Sequence, residues 1–231
     1  MKVQTSLNLI GTKNKVSIIK QHSRLKYISL FLAIIMLTSS LFVIIPTVTS
    51  NPDDSWWNTS WIYRKAIIID HSKVNEDISN FPFLIDITDH NLSSYAQSNG
   101  NDIVFTSVTA IKLSHEIESY NSVDGHLVAW VNIPSLSSTV NTTLYIYYGN
   151  PSATSQKNIE GTWNSDFKAV YHLKESWSTT AGHFKDSTTN HHNGTLTDAN
   201  ADSSTDIGIV GNGFRFNGDA DFINIGVINF G

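Results

Sequence analysis

The chain has 231 residues, a formal charge of −5 and only 15% charged residues, against a usual ~25%. Its acidic balance excludes a general nucleic-acid binder, which carries a basic face, and its 11% aromatic content excludes a disordered chain. It contains no cysteine, so disulfides, zinc–thiolate sites and cysteine nucleophiles are excluded as well.

Residues 1–27 form a basic N-terminal segment ending in Lys20, Arg24 and Lys26, and an apolar run follows from about Ile28 to Ile45. Eighteen helical residues reach ~27 Å, close to the ~30 Å hydrocarbon core of a bilayer. The positive flank stays inside and the remainder goes outside. Residues 28–50 therefore read either as a transmembrane anchor, the chain's membrane partner, or as a signal peptide cleaved near Ser50 after small residues such as Val48. Both place the bulk of the chain outside the cytoplasmic membrane.

Next comes "NPDDSWWNTSW", with Trp56, Trp57 and Trp61 inside six positions. In an extended chain Trp57 and Trp61 share a face and Trp56 looks the other way. The pattern predicts that the first strand begins here, with Trp57 and Trp61 sealing a sandwich edge. A sugar-stacking platform is the competing reading. Beyond them the pattern is β. "FPFLIDIT" is a strand, "NLSSYAQSNG" a short helix, and "DIVFT" another strand. "IKLSHEIES" alternates, with Leu113, His115 and Ile117 on one face and Lys112, Ser114, Glu116 and Glu118 on the other. "HLVAWVNIP" is apolar on both faces, as suits a central strand, and Pro134 closes it. "TTLYIYYGN" is a strong strand stopped by Gly149, Asn150 and Pro151. Residues 151–162 read as a linker by composition. A second β unit then opens at "TWNSDFKAVYHLKES", where Phe167, Ala169, Tyr171 and Leu173 alternate with polar positions. It ends in "IGIVGNGFRFNGDADFINIG", two short strands around an "NGD" turn. Three or four strands are too few to close a second sandwich, so this unit is expected to be incomplete.

"WWNTSWIYRKAIIID", "FPFLIDI", "NDIVFT", "HEIES", "VAWVNIPSLSS" and "TTLYIYYGN", in that order, resemble the domain of unknown function 2341 over residues 55–150. The resemblance implies a β-sandwich of archaeal or bacterial surface proteins. "FKAVYHLKES", "KDSTTNHHNGTL" and "GIVGNGFRFNGDADFINIG" resemble the first half of a laminin-G-like, concanavalin-A-like jelly roll over residues 163–231. The expected fold class is all-β: a sandwich, then a truncated jelly roll, preceded by one N-terminal hydrophobic helix.

Few residues point to chemistry. Glu116 and Glu118 lie two apart on a strand, ~6.5–7 Å between Cα atoms, and retaining glycosidases hold their carboxyl groups ~5–5.5 Å apart. Jelly-roll glucanases carry E-x-D-x-x-E on such a strand; this chain has Glu118 and Asn121 at the second and third positions of that pattern. The pair therefore reads as a solvated strand face and not a catalytic dyad. His183, His191 and His192 have no metal-ligand spacing and read as loop histidines. Asp186, Asn190 and Asn193 offer oxygen ligands for calcium, the one cofactor the sequence suggests, and some laminin-G-like folds hold calcium near such a loop. The alternative is turn chemistry, Asp and Asn bonding their own backbone. Asn58, Asn91, Asn141 and Asn193 open sequons, and loop Asn193 is the best-placed acceptor. The expected function is non-enzymatic: a surface protein for adhesion or for binding a glycan or protein ligand. The alternatives are an accessory module of a polysaccharide-acting enzyme, or a structural or transport-coupled surface component. A reporter fused after Ser50 should be active outside the cytoplasmic membrane; activity confined to the cytosol would exclude the export reading.

Overall fold

The computed structural model describes residues 56–198, 203–208, 210–216, 218 and 220–228. The anchor or signal expectation for residues 28–50 lies outside these. Among the described residues, no helix is long and apolar enough to cross a membrane.

The described residues are mostly β, and their first part is a two-sheet sandwich. Strands β1 (Tyr63–Ile69), β3 (Val104–Ser107), β4 (Lys112–Leu113) and β7 (Thr142–Tyr148) form one sheet in the order β1-β7-β3-β4. Strands β2 (Ile78–Thr88), β5 (His115–Asn121) and β6 (His126–Leu136) form the other in the order β2-β6-β5. All pairings are antiparallel. Period-2 patterning sends one side of each strand inward. Ile67 and Ile69 of β1, Phe83, Ile85 and Ile87 of β2, and Leu144, Ile146 and Tyr148 of β7 share one core. Leu127, Ala129, Val131 and Ile133 of β6 join them. The expected central strand is observed, since β6 lies between β2 and β5. Pro134 does not end it. β6 runs on to Leu136, and the ladder to β2 steps from Ser79–Ser135 to Phe81–Ile133 across the left-handed Asn80. By then β6 has outrun β5, whose pairing stops at Val131, so the missing proline N–H costs no ladder bond on that side.

The predicted short helix is α1 (His90–Tyr95), capped by Asp89, whose side chain accepts from the Asn91 N–H. The Asp89 carboxylate also meets Lys65 of β1, tying the two sheets together through a buried ion pair. Asp102 is fully buried. One oxygen accepts from the Gln97 N–H at 2.8 Å, the other from Gly149 and Asn150 N–H at 2.7 and 3.0 Å. A carboxylate with three backbone donors is well satisfied, and it fixes the exit of β7.

The tryptophans precede β1 and do not belong to it. The Trp61 N–H bonds the Asn58 carbonyl, so residues 58–61 turn, and the face alternation expected of an extended chain fails. Trp61 is 6% exposed and packs with Val104 and Tyr147 on the outer face of the first sheet. Its indole N–H donates to the Asp102 carbonyl at 2.6 Å. Trp57 meets Trp61 edge-on at 4.8 Å. Trp56, 39% exposed, joins the same cluster: it meets Tyr147 edge-on at 5.3 Å, and the Arg64 guanidinium stacks between it and Tyr145. The cluster is a seal over the outer sheet face.

Residues after Tyr148 form no strand until β8 (Thr195–Thr197), apart from one bridge between Phe184 and Gly194. The strand expected at "DFKAVYHL" is absent because its backbone bonds elsewhere. The Val170 N–H goes to the Asp186 carboxylate, the Val170 carbonyl takes the Ser187 N–H, and Leu173 is left-handed. Strand β11 (Phe222–Asn224) pairs with β8, and β10 (Asn212–Arg215) with β9 (Ser204–Ile207), giving two separate two-stranded ribbons.

Trp61→Ala should cost about 3–5 kcal/mol of sandwich stability, the usual penalty for a buried large aromatic. Trp56→Ala should cost under about 1 kcal/mol, as for a side chain left partly in solvent. Equilibrium urea unfolding checks both.

Candidate functional site

Strand β5 sets the geometry. Its ladder with β6 pairs Glu116 with Trp130 and Ile117 with Ala129, then jumps to Ser119 with Val128. Glu118 is therefore the extra residue of a β-bulge, a feature that re-aims side chains. His115 and Ile117 point into the sandwich, and Tyr120 resumes that face after the bulge. Glu116 and Glu118 both lie on the outer face, as their alternation predicts. They are not solvated there. Glu116 is 4% exposed and Glu118 8%.

What covers them is the segment after the sandwich. His172 stands between the two carboxylates, its side chain 8% exposed. Its Nδ1 lies 2.9 Å from Glu118 Oε2 and its Nε2 3.1 Å from Glu116 Oε2. The Nε2 contact is an ion pair set off the hydrogen-bond axis. Trp130 Nε1 donates to Glu118 Oε2 at 2.7 Å, and Trp163 Nε1 to Glu116 Oε2 at 2.9 Å. The Ser187 hydroxyl donates to Glu116 Oε1 at 2.9 Å. Lys174 Nζ reaches the Glu118 carbonyl at 3.2 Å. The indoles of Trp130 and Trp163 lie 5.3 Å apart with the His172 ring beside both. Left-handed Gly211 closes the far side, where a Cβ would come within 2.9 Å of Glu118 Oε1.

Two carboxylates cannot be buried together without compensation. Both ring nitrogens of His172 face carboxylate oxygens, an arrangement that favours the imidazolium, the only form with two N–H donors. Burial alone would lower the His172 pKa; Glu116 and Glu118 outweigh it and raise it to about 9. Burial likewise pushes the Glu116 carboxyl up, but His172, Trp163 and Ser187 together bring it below its ordinary value. The arrangement is a closed seam in which one imidazolium, two indole N–H groups and a hydroxyl share two carboxylates, leaving one negative charge in excess. The glutamates keep no exposed oxygen face for a nucleophile or an acid to work from.

Residues 151–162 are also tied down. The Asn158 N–H bonds the His115 carbonyl at 3.0 Å, the Asn132 amide reaches the Thr162 carbonyl at 3.2 Å, and Asn164 reaches the Asn80 carbonyl at 3.1 Å. His191 Nε2 lies 3.4 Å from Glu160 Oε1 at the surface, and His183 Nε2 meets the Ser176 carbonyl.

Asp186, Asn190 and Asn193 do meet in one loop. Asp186 is buried, and its carboxylate accepts from the N–H groups of Val170, Thr188 and His192 and from the Thr188 hydroxyl, at 2.9–3.0 Å. Asn193 Oδ1 accepts from the Asp186 N–H, and the Asn190 amide donates to the carbonyls of Phe167 and Lys168. These bonds tie the loop to its own backbone and to Phe167, Lys168 and Val170. Among the described residues, no three His, Asp or Glu side chains are placed to share a metal ion.

The family model of a domain of unknown function, DUF2341, matches residues 99–195. That match begins inside the sandwich and takes in β5, β6, β7 and the covering segment, so Glu116, Glu118, Trp130, Trp163, His172 and Ser187 all fall within it. No curated protein and no solved structure matches the chain.

Glu116→Ala should cost about 2–4 kcal/mol, because it leaves the buried Trp163 indole N–H and Ser187 hydroxyl without their acceptor; Ser187→Ala should cost about 1 kcal/mol. A second titration acts inside the core. Burial lowers the pKa of His115 from 6.5 to about 4. It stays neutral in the fold while the unfolded chain takes up its proton. Stability is thus lost as pH falls from 6.5 towards 4, by up to about 3 kcal/mol. Urea unfolding at neutral and mildly acid pH should show this loss, and His115→Leu should reduce it.

Proposed function

We propose that the chain is a non-enzymatic, extracytoplasmic surface protein that binds a surface glycan or protein, with residues 28–50 as its anchor or cleaved signal. The basic flank and apolar run support the address. The resemblance of residues 163–231 to a laminin-G-like jelly roll supports a binding role by analogy of fold alone, with the ribbons β8–β11 and β9–β10 as the strands of that unit.

The observation that carries the reading is the state of Glu116 and Glu118. They are the carboxylate pair whose spacing invites glycosidic chemistry. A retaining mechanism needs one carboxylate open to attack the sugar and one protonated acid at the leaving oxygen. Here both are held against one imidazolium, fixed by two indole N–H groups and covered by Trp163, His172 and Gly211. The pair acts as an internal fastener.

Affinity electrophoresis of the full chain in gels containing a panel of soluble polysaccharides, with reducing ends measured in parallel, tests this. Retardation by one or more polymers without release of reducing ends is the expected result. Turnover abolished by Glu116→Gln or Glu118→Gln would overturn the non-enzymatic reading.

A further inference from the structure

The segment from Trp163 to His192 lies on the outer face of β5 and β6 without adding a strand to their sheet. Its hold on that face is made by side chains: Trp163, His172, Lys174 and Ser187 on Glu116 and Glu118, with Trp130 between. Within the segment, the other charged groups in sequence near His172 have these contacts, the second Glu175 carboxylate oxygen being buried without a hydrogen bond. Glu175 accepts from the Lys185 N–H, Lys185 Nζ reaches the Gly182 carbonyl, and Asp186 holds Val170, Thr188 and His192. The sandwich core lies on the opposite face of β5 and has its own apolar contacts.

We propose that this contact is a proton-gated clasp: the segment 163–192 stays docked on the sandwich only while both ring nitrogens of His172 carry protons, and loss of one releases the segment with the sandwich still folded. The reason is donor count. A neutral imidazole has one N–H and one lone pair. Whichever nitrogen loses its proton then points a lone pair at a buried carboxylate, and the seam holds two anions with no cation between them. A buried charge left without its partner is the costly case. The cheapest relief is to let water reach Glu116 and Glu118, which means lifting the segment that covers them.

The sign follows from the raised pKa. His172 in the docked state titrates near 9, above its ordinary 6.5. The clasp is at full strength below 6.5 and is lost as pH rises through about 9. Burial holds Tyr171 and Tyr120 at about 12, so neither titrates in that window.

The experiment is an alkaline titration of the full chain with three readouts. The first is near-ultraviolet circular dichroism, which senses the close Trp130–Trp163 pair. The second is limited proteolysis within 163–192. The third is amide hydrogen exchange of β7, which reports the sandwich core. The wild-type chain should lose the tryptophan signal and gain cleavage together, with a midpoint near 9, while β7 stays protected. Glu118→Gln removes one of the two anions and should move that midpoint down by about one to two pH units. His172→Gln cannot titrate there and should show no step. The proposal is overturned if the wild-type signals persist well above the His172 midpoint, if β7 loses protection in the same step, or if the midpoint is unmoved in Glu118→Gln.

Discussion

An imidazolium held between two buried carboxylates is the contact on which the rest of this structure turns. Without His172, the outer face of β5 and β6 would carry two carboxylates and the Trp130 indole N–H, a surface suited to water. With it, the same face is dry enough to take Trp163, Ser187 and the turn at Gly211. One proton therefore decides whether the sandwich ends at Tyr148 or extends through the segment that follows.

The two halves of the molecule are built on different physics. The sandwich closes by apolar burial between two antiparallel sheets, with buried polar groups at its margins fully employed: Asp102 on three backbone N–H groups, Asp89 on Lys65 and a helix cap. The later part has little ladder and little shared core. It is organised by Asp186 and Asn193 around a loop and by the seam to β5. Its strands occur as two-stranded ribbons, and Phe222 and Val227 remain exposed.

Much of the sandwich was legible in the sequence, since strand patterning is local. The two-sided apolarity of "HLVAWVNIP" placed β6 centrally, and "NLSSYAQSNG" gave a short helix, of which α1 takes only the part up to Tyr95. Alternation also put Glu116 and Glu118 on one face. Their environment was not legible. His172 is far from them along the chain, and nothing in "VYHLKES" marks its histidine as an ion-pair partner rather than a loop residue. The alternation in that stretch suggested a strand, whereas its backbone is bonded to Asp186 and Ser187. The tryptophan cluster was half legible. A seal at the opening of the domain was expected, but at a sandwich edge and within the first strand; the cluster instead precedes β1 and covers an outer sheet face, and the turn at Asn58–Trp61 breaks the extended geometry assumed for Trp56.

The central claim is that His172 is a doubly protonated ring inside the folded chain at neutral pH. Long-range proton–nitrogen correlation spectra of the isotopically labelled chain test it directly, because an imidazolium and a neutral tautomer give different ring-nitrogen shifts. The account predicts two protonated nitrogens for His172 at neutral pH, a pattern lost in Glu118→Gln well before it is lost in the wild type. One protonated and one bare nitrogen at neutral pH, in a chain whose sandwich is folded, would contradict it.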